Sequence, residues 1–361
     1  MSSTSRIISV LVRRAVLLTI ALVVIMLATA VIIGATGYDK KILQAIVETE
    51  LQAYRQQLVQ QNIPTADIQK LVEQRRQELV QIYGLDKPWT QRVVPMAVRA
   101  LILDLGYVKS EEVANIVGEQ LPLKVKDAIL ITLPRTVVML TIAEIICTII
   151  ALWLAPLIAY RRGSLLDRAA ISYAALMNAL PVWWLGILFI FIFGYHLRIA
   201  PTNYHGVIKY INSFTEDPVG ALKGLLYYSW LPITTVVIAL LGGWLYGVRA
   251  IALRVVGEDY VAVARAKGLP ERLVIRRYIL RVIAGPVATI VILSLATSIG
   301  GFIITESVFN WPGMGSLYYA AISSGDAPTI IGLVYITTVV YIVARFILEV
   351  LYVALDPRVR Y

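Results

Sequence analysis

The sequence predicts an all-α membrane protein with six transmembrane helices and an external helical insert between the first and second spans. Two observations predict it. The 361 residues are 58% hydrophobic and 16% charged, with a mean hydropathy of +0.74, which is more apolar surface than a soluble domain of this size can bury. The apolar residues also gather into runs of spanning length, since roughly 20 helical residues cross a hydrocarbon core roughly 30 Å thick. Lipid offers the backbone no hydrogen-bond partner, so these runs fold as helices.

The first span is Ala15 to Ala35, within a segment 15–36, behind Arg6, Arg13 and Arg14. A cleaved signal peptide is the rival reading, but its apolar region is usually only about 7–15 residues long. The reading adopted is an uncleaved span with residues 1–14 in the cytoplasm. Residues 37–131 form the insert. Leu43, Val47, Leu51, Tyr54 and Leu58 recur at helical spacing up to Asn62 and Pro64, and a second amphipathic helix runs from Asp67 to Tyr83. These helices form a folded external segment, or a pair lying on the bilayer with Arg55, Arg75 and Arg76 at the headgroups. A five-helix core, 132–355, holds spans Thr136–Tyr160, Ala169–His196, Leu231–Ala252, Gly285–Val308 and Thr329–Leu355, and residues 356–361 are a cytoplasmic tail.

Charge placement orients the spans. Arg161, Arg162 and Arg168 fall in the second-to-third connection. Arg254, Arg265, Lys267, Arg272, Arg276, Arg277 and Arg281 fall in the fourth-to-fifth, and residues 309–328 carry no Lys or Arg. Basic loops stay inside, so both termini are cytoplasmic. The net charge of +10 is therefore read as membrane topology and not as nucleic-acid binding, because its basic residues flank the apolar runs.

Several chemistries are excluded. No Gly-Lys dipeptide occurs, so there is no loop to cradle nucleotide phosphates, and the two histidines, His196 and His205, do not make a zinc motif. The single cysteine, Cys147, lies inside a span, which rules out an internal disulfide. The chain is not catalytic by itself. A membrane-embedded enzyme needs clustered acids or histidines within the spans, and the residues counted there are Glu144 and Glu349. Glu349 stands one helical turn from Arg345 and pairs with it structurally. Glu144 has no sequence neighbour to pair with and faces the bundle interior or another subunit, which makes it a candidate for the translocation path or gate. Pro181 with Trp183 and Trp184 lines the pathway or marks a kinked, packed helix, with packing preferred.

The connection 258–271, EDYVAVARAKGLPE, is unusual for a loop between spans. Acidic Glu258 and Asp259 suit a helix start, Ala262, Ala264 and Ala266 suit close approach, and Lys267-Gly268-Leu269-Pro270 is a stop. An ordinary solvated basic loop explains the charges but not the alanines. The segment closely resembles the EAA loop, the coupling helix of binding-protein-dependent ABC importer permeases, in the version of the dipeptide/oligopeptide/nickel family, first-permease type. Gly268 matches the glycine of E-A-A-x-x-x-G. Ala262 and Val263 depart from its leading positions, so the superfamily's Glu contact does not carry over, and Arg281 stands where that pattern ends in proline. GLDKP at 84–88, LDLGY at 103–107, LPRT at 133–136, TESVFNWPGMG at 305–315 and LYVALDPRVRY at 351–361 resemble the same family in order and spacing.

The resemblance implies the type I ABC importer permease fold in a prokaryotic cell membrane. It implies a coupling loop, 253–283, whose Glu258, Asp259, Ala262, Ala264, Lys267, Gly268 and Leu269 meet a separate ATPase. Two such ATPases would bind ATP and Mg, this chain binding no cofactor. The further partners implied are a second homologous permease and an extracytoplasmic binding protein. Trp311 and Met314, in a region that packs near the outer gate in relatives, join Glu144 as path or gate candidates. The implied cargo is di- or oligopeptides, with oligosaccharides or nickel as alternatives within the family. Trp183, Trp230 and Trp244 suit sugar stacking or helix packing equally. A scaffold or channel without ATP coupling is the reading from another class.

Overall fold

The helices begin and end where turn chemistry and hydrophobic period allow. The computed structural model describes the backbone of residues 3–61, 63–102 and 104–355, and the tail 356–361 lies outside the described residues. The order is α1 (Ser3–Ala35), α2 (Tyr38–Gln60), α3 (Thr65–Ile82), α4 (Trp89–Leu101), α5 (Glu111–Val117), α6 (Val125–Tyr160), α7 (Leu165–Ala179), α8 (Val182–Phe189), α9 (Val207–Asn212), α10 (Pro218–Val256), α11 (Asp259–Ala266), α12 (Glu271–Leu273), α13 (Arg281–Gly301), α14 (Ile303–Phe309), α15 (Met314–Ser324) and α16 (Ala327–Leu355). π-helical turns extend α8 to His196 and join α12 to α13 through 274–280. Among the described residues five helices are long and apolar enough to cross a membrane, and counting the bent pair α7–α8 as one span gives six.

Two expected spans are corrected. The run Ala169–His196 is broken at Leu180–Pro181, where α7 and α8 meet at 93°. Proline supplies no N–H and biases Leu180 to the extended conformation it adopts, so the break follows from sequence. The fifth span starts earlier and stops sooner than Gly285–Val308: its helix begins at Glu271, passes through the π-helical turns into α13, and ends at Gly301 before the separate short helix α14.

The chain divides into two compact units. One comprises 1–7, 133–316 and 343–361, and the other 8–132 and 317–342. In the first, Ala143, Cys147, Ala151, Ala155 and Ala159 form a fully buried small-residue stripe along α6. Small residues let helix backbones approach closely, which is the main source of packing where hydrocarbon surrounds the bundle. The same device joins α7 to α10, where a Cβ on Gly242 would stand 2.9 Å from the Ala174 Cα. At the other end of this contact, buried Asp167 takes Arg249 Nε at 2.5 Å and Nη2 at 3.0 Å, and also accepts the Gly163 N–H at 2.8 Å.

In the second unit, α2 and α3 pack through Val47, Leu51 and Leu79. Asp326 caps α16 through the Thr329 N–H at 3.3 Å and also accepts the N–H groups of Lys109 at 2.8 Å and Ser110 at 3.3 Å. One buried carboxylate thus pins the start of α5 to the start of α16.

Removing one partner of a buried ion pair strands the other charge. Arg249→Met is expected to destabilise the folded chain by about 3–5 kcal/mol. Thermal unfolding in detergent checks this, and Asp167→Asn/Arg249→Met should recover most of the loss.

Candidate functional site

The connection between α10 and α13 is a short helix held rigidly from below. Val261 and Ala264, one turn apart, are buried in the core of the first unit, while Tyr260 and Val263 remain 40% and 52% exposed. Leu269 packs against the same core, and Val274 and Ile279 beyond it are fully buried. The helix ends in a Schellman motif: the Gly268 N–H bonds the Arg265 carbonyl at 2.9 Å, and the Leu269 N–H bonds that of Ala264 at 3.3 Å. Gly268 has φ +69°, a conformation in which a side chain is strained although the space around it is open.

Two contacts fix the loop laterally. The Arg265 guanidinium lies 4.1 Å over the Tyr160 ring, and Arg161 grips Glu271 with two hydrogen bonds of 2.8 and 3.1 Å. Hydrogen bonding to Glu271, then its charge, raises the pKa of Arg161. Glu258, Asp259, Ala262, Lys267 and Gly268 are exposed and Leu269 half-buried. Ala264 corrects the sequence reading. It is buried, so its small side chain serves packing beneath the helix and presents nothing outward. Tyr260 and Val263, passed over in the sequence, supply the exposed apolar surface, and the burial period of Val261 and Ala264 is the signal that locates them.

The path candidates are placed differently. Glu144 is buried, and Ser294 Oγ donates to its Oε1 at 2.5 Å. Ser294 belongs to a shallow groove of about 230 Å³ with Leu240, Gly243, Trp244, Gly247, Val248 and Ile290, so Glu144 stands behind a groove wall. Trp311 and Met314 are buried within the chain, and neither side chain lines an open path. Trp183 and Trp184 are 37% and 43% exposed, which corrects the expectation that they are packed, whereas Trp244 is core and Trp230 stacks edge-on with Phe193 at 5.7 Å. Of the expected Arg345–Glu349 pair, the Glu349 side chain lies outside the described residues.

The sequence count of acids missed Glu306. Buried within the segment TESVFNWPGMG, its Oε2 accepts the Gly315 N–H at 2.9 Å, while Thr136 Oγ1 accepts the Met314 N–H at 2.7 Å. A Cβ at Gly313 would come within 2.3 Å of that carboxylate oxygen and 2.4 Å of the Thr136 hydroxyl. Arg135 Nη1 closes the arrangement on the Pro312 carbonyl at 3.2 Å. The glycines of the segment are thus required by the carboxylate they surround. A carboxylate followed closely by Trp-Pro-Gly-x-Gly was the available clue.

A broken third span, a rigid cytoplasmic-type helix between two long ones and a latched loop before the last span define a multi-span transport component. Residues 131–361 match the family described as binding-protein-dependent transport system inner membrane component. The chain belongs to that family. It is 28% identical over 292 residues to the oligopeptide transport system permease protein AppB of Bacillus subtilis, covering 81% of this chain and 87% of that one. It is 27% identical over 320 residues to the di/tripeptide permease protein DppB of Pseudomonas aeruginosa, covering 83% and 91%. With the dipeptide permease protein DppB of Escherichia coli the identity is 26% over 301 residues, covering 80% and 86%.

Glu306→Gln keeps an acceptor for Gly315 and is expected to retain near wild-type thermal stability in detergent. Glu306→Ala leaves that N–H buried and unpaired, at a cost of about 1–3 kcal/mol. Gly313→Ala should cost at least as much, because its Cβ displaces the same carboxylate.

Proposed function

We propose that this permease forms half of the translocation path of an ATP-driven importer of di- or oligopeptides, coupled to a separate ATPase through 258–271. The observation that carries this reading is the exposed face of α11. Tyr260, Ala262 and Val263 stand proud of a helix whose other face is locked into the bundle, flanked by Glu258 and Asp259 at one end and Lys267 at the other. An apolar patch with a charged rim on a rigid element is the form of a protein contact. Sequence motifs for binding nucleotide phosphates are absent, so the energy has to enter from a partner.

In this reading two ATPases bind ATP and Mg, and a second homologous permease completes the path. An extracytoplasmic binding protein delivers cargo, and both termini are cytoplasmic in the cell membrane of a prokaryote. The peptide cargo rests on the names of the relatives, and the basic connections support the orientation.

Val263→Asp places a charge in the patch without touching the core. It should leave membrane insertion and thermal stability unchanged, while co-purifying ATPase and peptide uptake into proteoliposomes each fall by about tenfold or more, the loss expected at an interface centre. Full ATPase association together with normal substrate-stimulated hydrolysis in this variant would overturn the coupling role. Uptake of labelled oligosaccharide but not peptide by the wild-type complex would overturn the cargo.

A further inference from the structure

Helix α4 has an apolar face that the chain does not cover. Val94, Val98 and Ile102 lie four residues apart and are 60%, 50% and 69% exposed, while Arg92 and Ala97 on the other side are buried. Two contacts set the level at which this face stands. The Trp89 ring packs on Gly34, 2.7 Å from where a Cβ would be, and Gly34 lies in the last turn of α1. Pro328 and Ile331, at the start of the span Pro328–Ile347, line one pocket with Arg92, Pro95 and Arg99. α4 therefore lies where two spans leave the hydrocarbon, and an amphipathic helix at that depth faces its apolar side to acyl chains.

The pocket beside it, about 150 Å³, is cationic: Lys87, Arg92 and Arg99 line it against a single carboxylate, Asp104. The chain holds these cations in place. Arg92 donates to the carbonyls of Lys87 and Gly84, and Arg99 stands 4.2 Å over the Tyr83 ring and 3.6 Å from Asp104. Tyr83 donates its hydroxyl to Glu50, and burial first, then that bond, pushes its phenol up to about 12, so the ring under Arg99 stays neutral. The basic residues expected at the headgroups behave otherwise. Arg75 pairs with Glu78 at 2.8 Å and Arg76 with Glu48 at 2.9 Å, which spends their charge within the insert.

We propose that this pocket binds the phosphate of an anionic phospholipid headgroup, through Lys87 and Arg99, with acyl chains lying along Val94, Val98 and Ile102. The excess positive charge selects an anion, and the uncovered apolar stripe selects one with hydrocarbon attached. The site lies in the leaflet reached by the carboxyl end of α1. It needs neither the cargo nor the ATPase assignment above.

The test uses the full chain purified in mild detergent with its partners. The protein is equilibrated with equal phosphatidylglycerol and phosphatidylcholine, and the lipid retained is measured by mass spectrometry. Wild type should retain phosphatidylglycerol preferentially, and Lys87→Gln/Arg99→Gln should retain on the order of tenfold less. Arg75→Gln/Arg76→Gln should match wild type, and Lys87→Arg/Arg99→Lys should keep most of the retention, which separates charge from folding. Equal retention by the Lys87→Gln/Arg99→Gln variant would overturn the proposal. Equal retention of phosphatidylcholine and phosphatidylglycerol by the wild type would overturn it too, because the pocket would then select no anion. A bimane label at Val98→Cys in phosphatidylglycerol nanodiscs should be quenched by doxyl lipid, and one at exposed Val59→Cys by aqueous iodide. Iodide quenching at Val98→Cys would equally sink the idea.

Discussion

A peptide group buried without a hydrogen-bond partner is costly, and at three interruptions of its helices this chain supplies the partner from its own side chains. Three buried carboxylates do this at three interruptions. Asp167 accepts from Gly163 in the turn between α6 and α7, Glu306 from Gly315 in the first turn of α15, and Asp326 from Lys109, Ser110 and Thr329 at the head of α16. Burying an acid is costly unless its oxygens are engaged. Each of these is engaged by backbone N–H groups that would otherwise be unpaired. At the break before α8, Pro181 removes one N–H, and its carbonyl accepts the N–H groups of Trp184 at 3.0 Å and Leu185 at 3.3 Å.

The same constraint gives the cytoplasmic-type loop its stiffness. α11 is too short to be stable alone, since isolated helices need about 12–15 residues. Its order comes from Val261 and Ala264 in the core, the Schellman stop at Gly268, and the Arg161–Glu271 grip. α10 enters it and the π-helical turns 274–280 leave it. A load on the exposed face is therefore delivered to both helices with little loss in bending the loop itself. π-helical turns are uncommon and cluster at functional positions, and this one sits between the loop and α13.

How far the sequence revealed this depends on which signal each feature left. The six apolar runs and the first two insert helices were legible because period and length survive tertiary packing: the run from Leu43 to Leu58 falls inside Tyr38–Gln60, and Asp67–Tyr83 nearly coincides with Thr65–Ile82. The start of the fifth spanning helix was missed because residues 271–284 are too charged for a hydropathy reading to include. There Arg272, Arg276, Arg277 and Arg281 continue the helix beyond the apolar stretch. Ala264 was misread because alanine suits a buried contact as well as an exposed one, and only its register with Val261 separates the two. Glu306 was hidden inside an apolar run. The cationic pocket was hidden more thoroughly, since Lys87, Arg92 and Arg99 are spread over two turns and a loop and only the fold gathers them.

Glu144 differs from the other buried acids, because it mends no break. α6 runs uninterrupted through it, and Thr148 bonds the Glu144 carbonyl in the ordinary way of a hydroxyl four residues along a helix. Its side chain reaches instead to Ser294 on α13. α6 and α10 already share the alanine-lined core, so this polar contact adds the third long helix of the unit to the pair. The helix leaving the 258–271 loop is thus tied to α6 behind the groove that Gly243 and Gly247 line on α10. A displacement of α13 relative to α6 must either carry Glu144 with it or break the carboxylate's bond to Ser294, and a buried acid makes the second course expensive. The groove wall and the loop are in this way parts of one mechanical element.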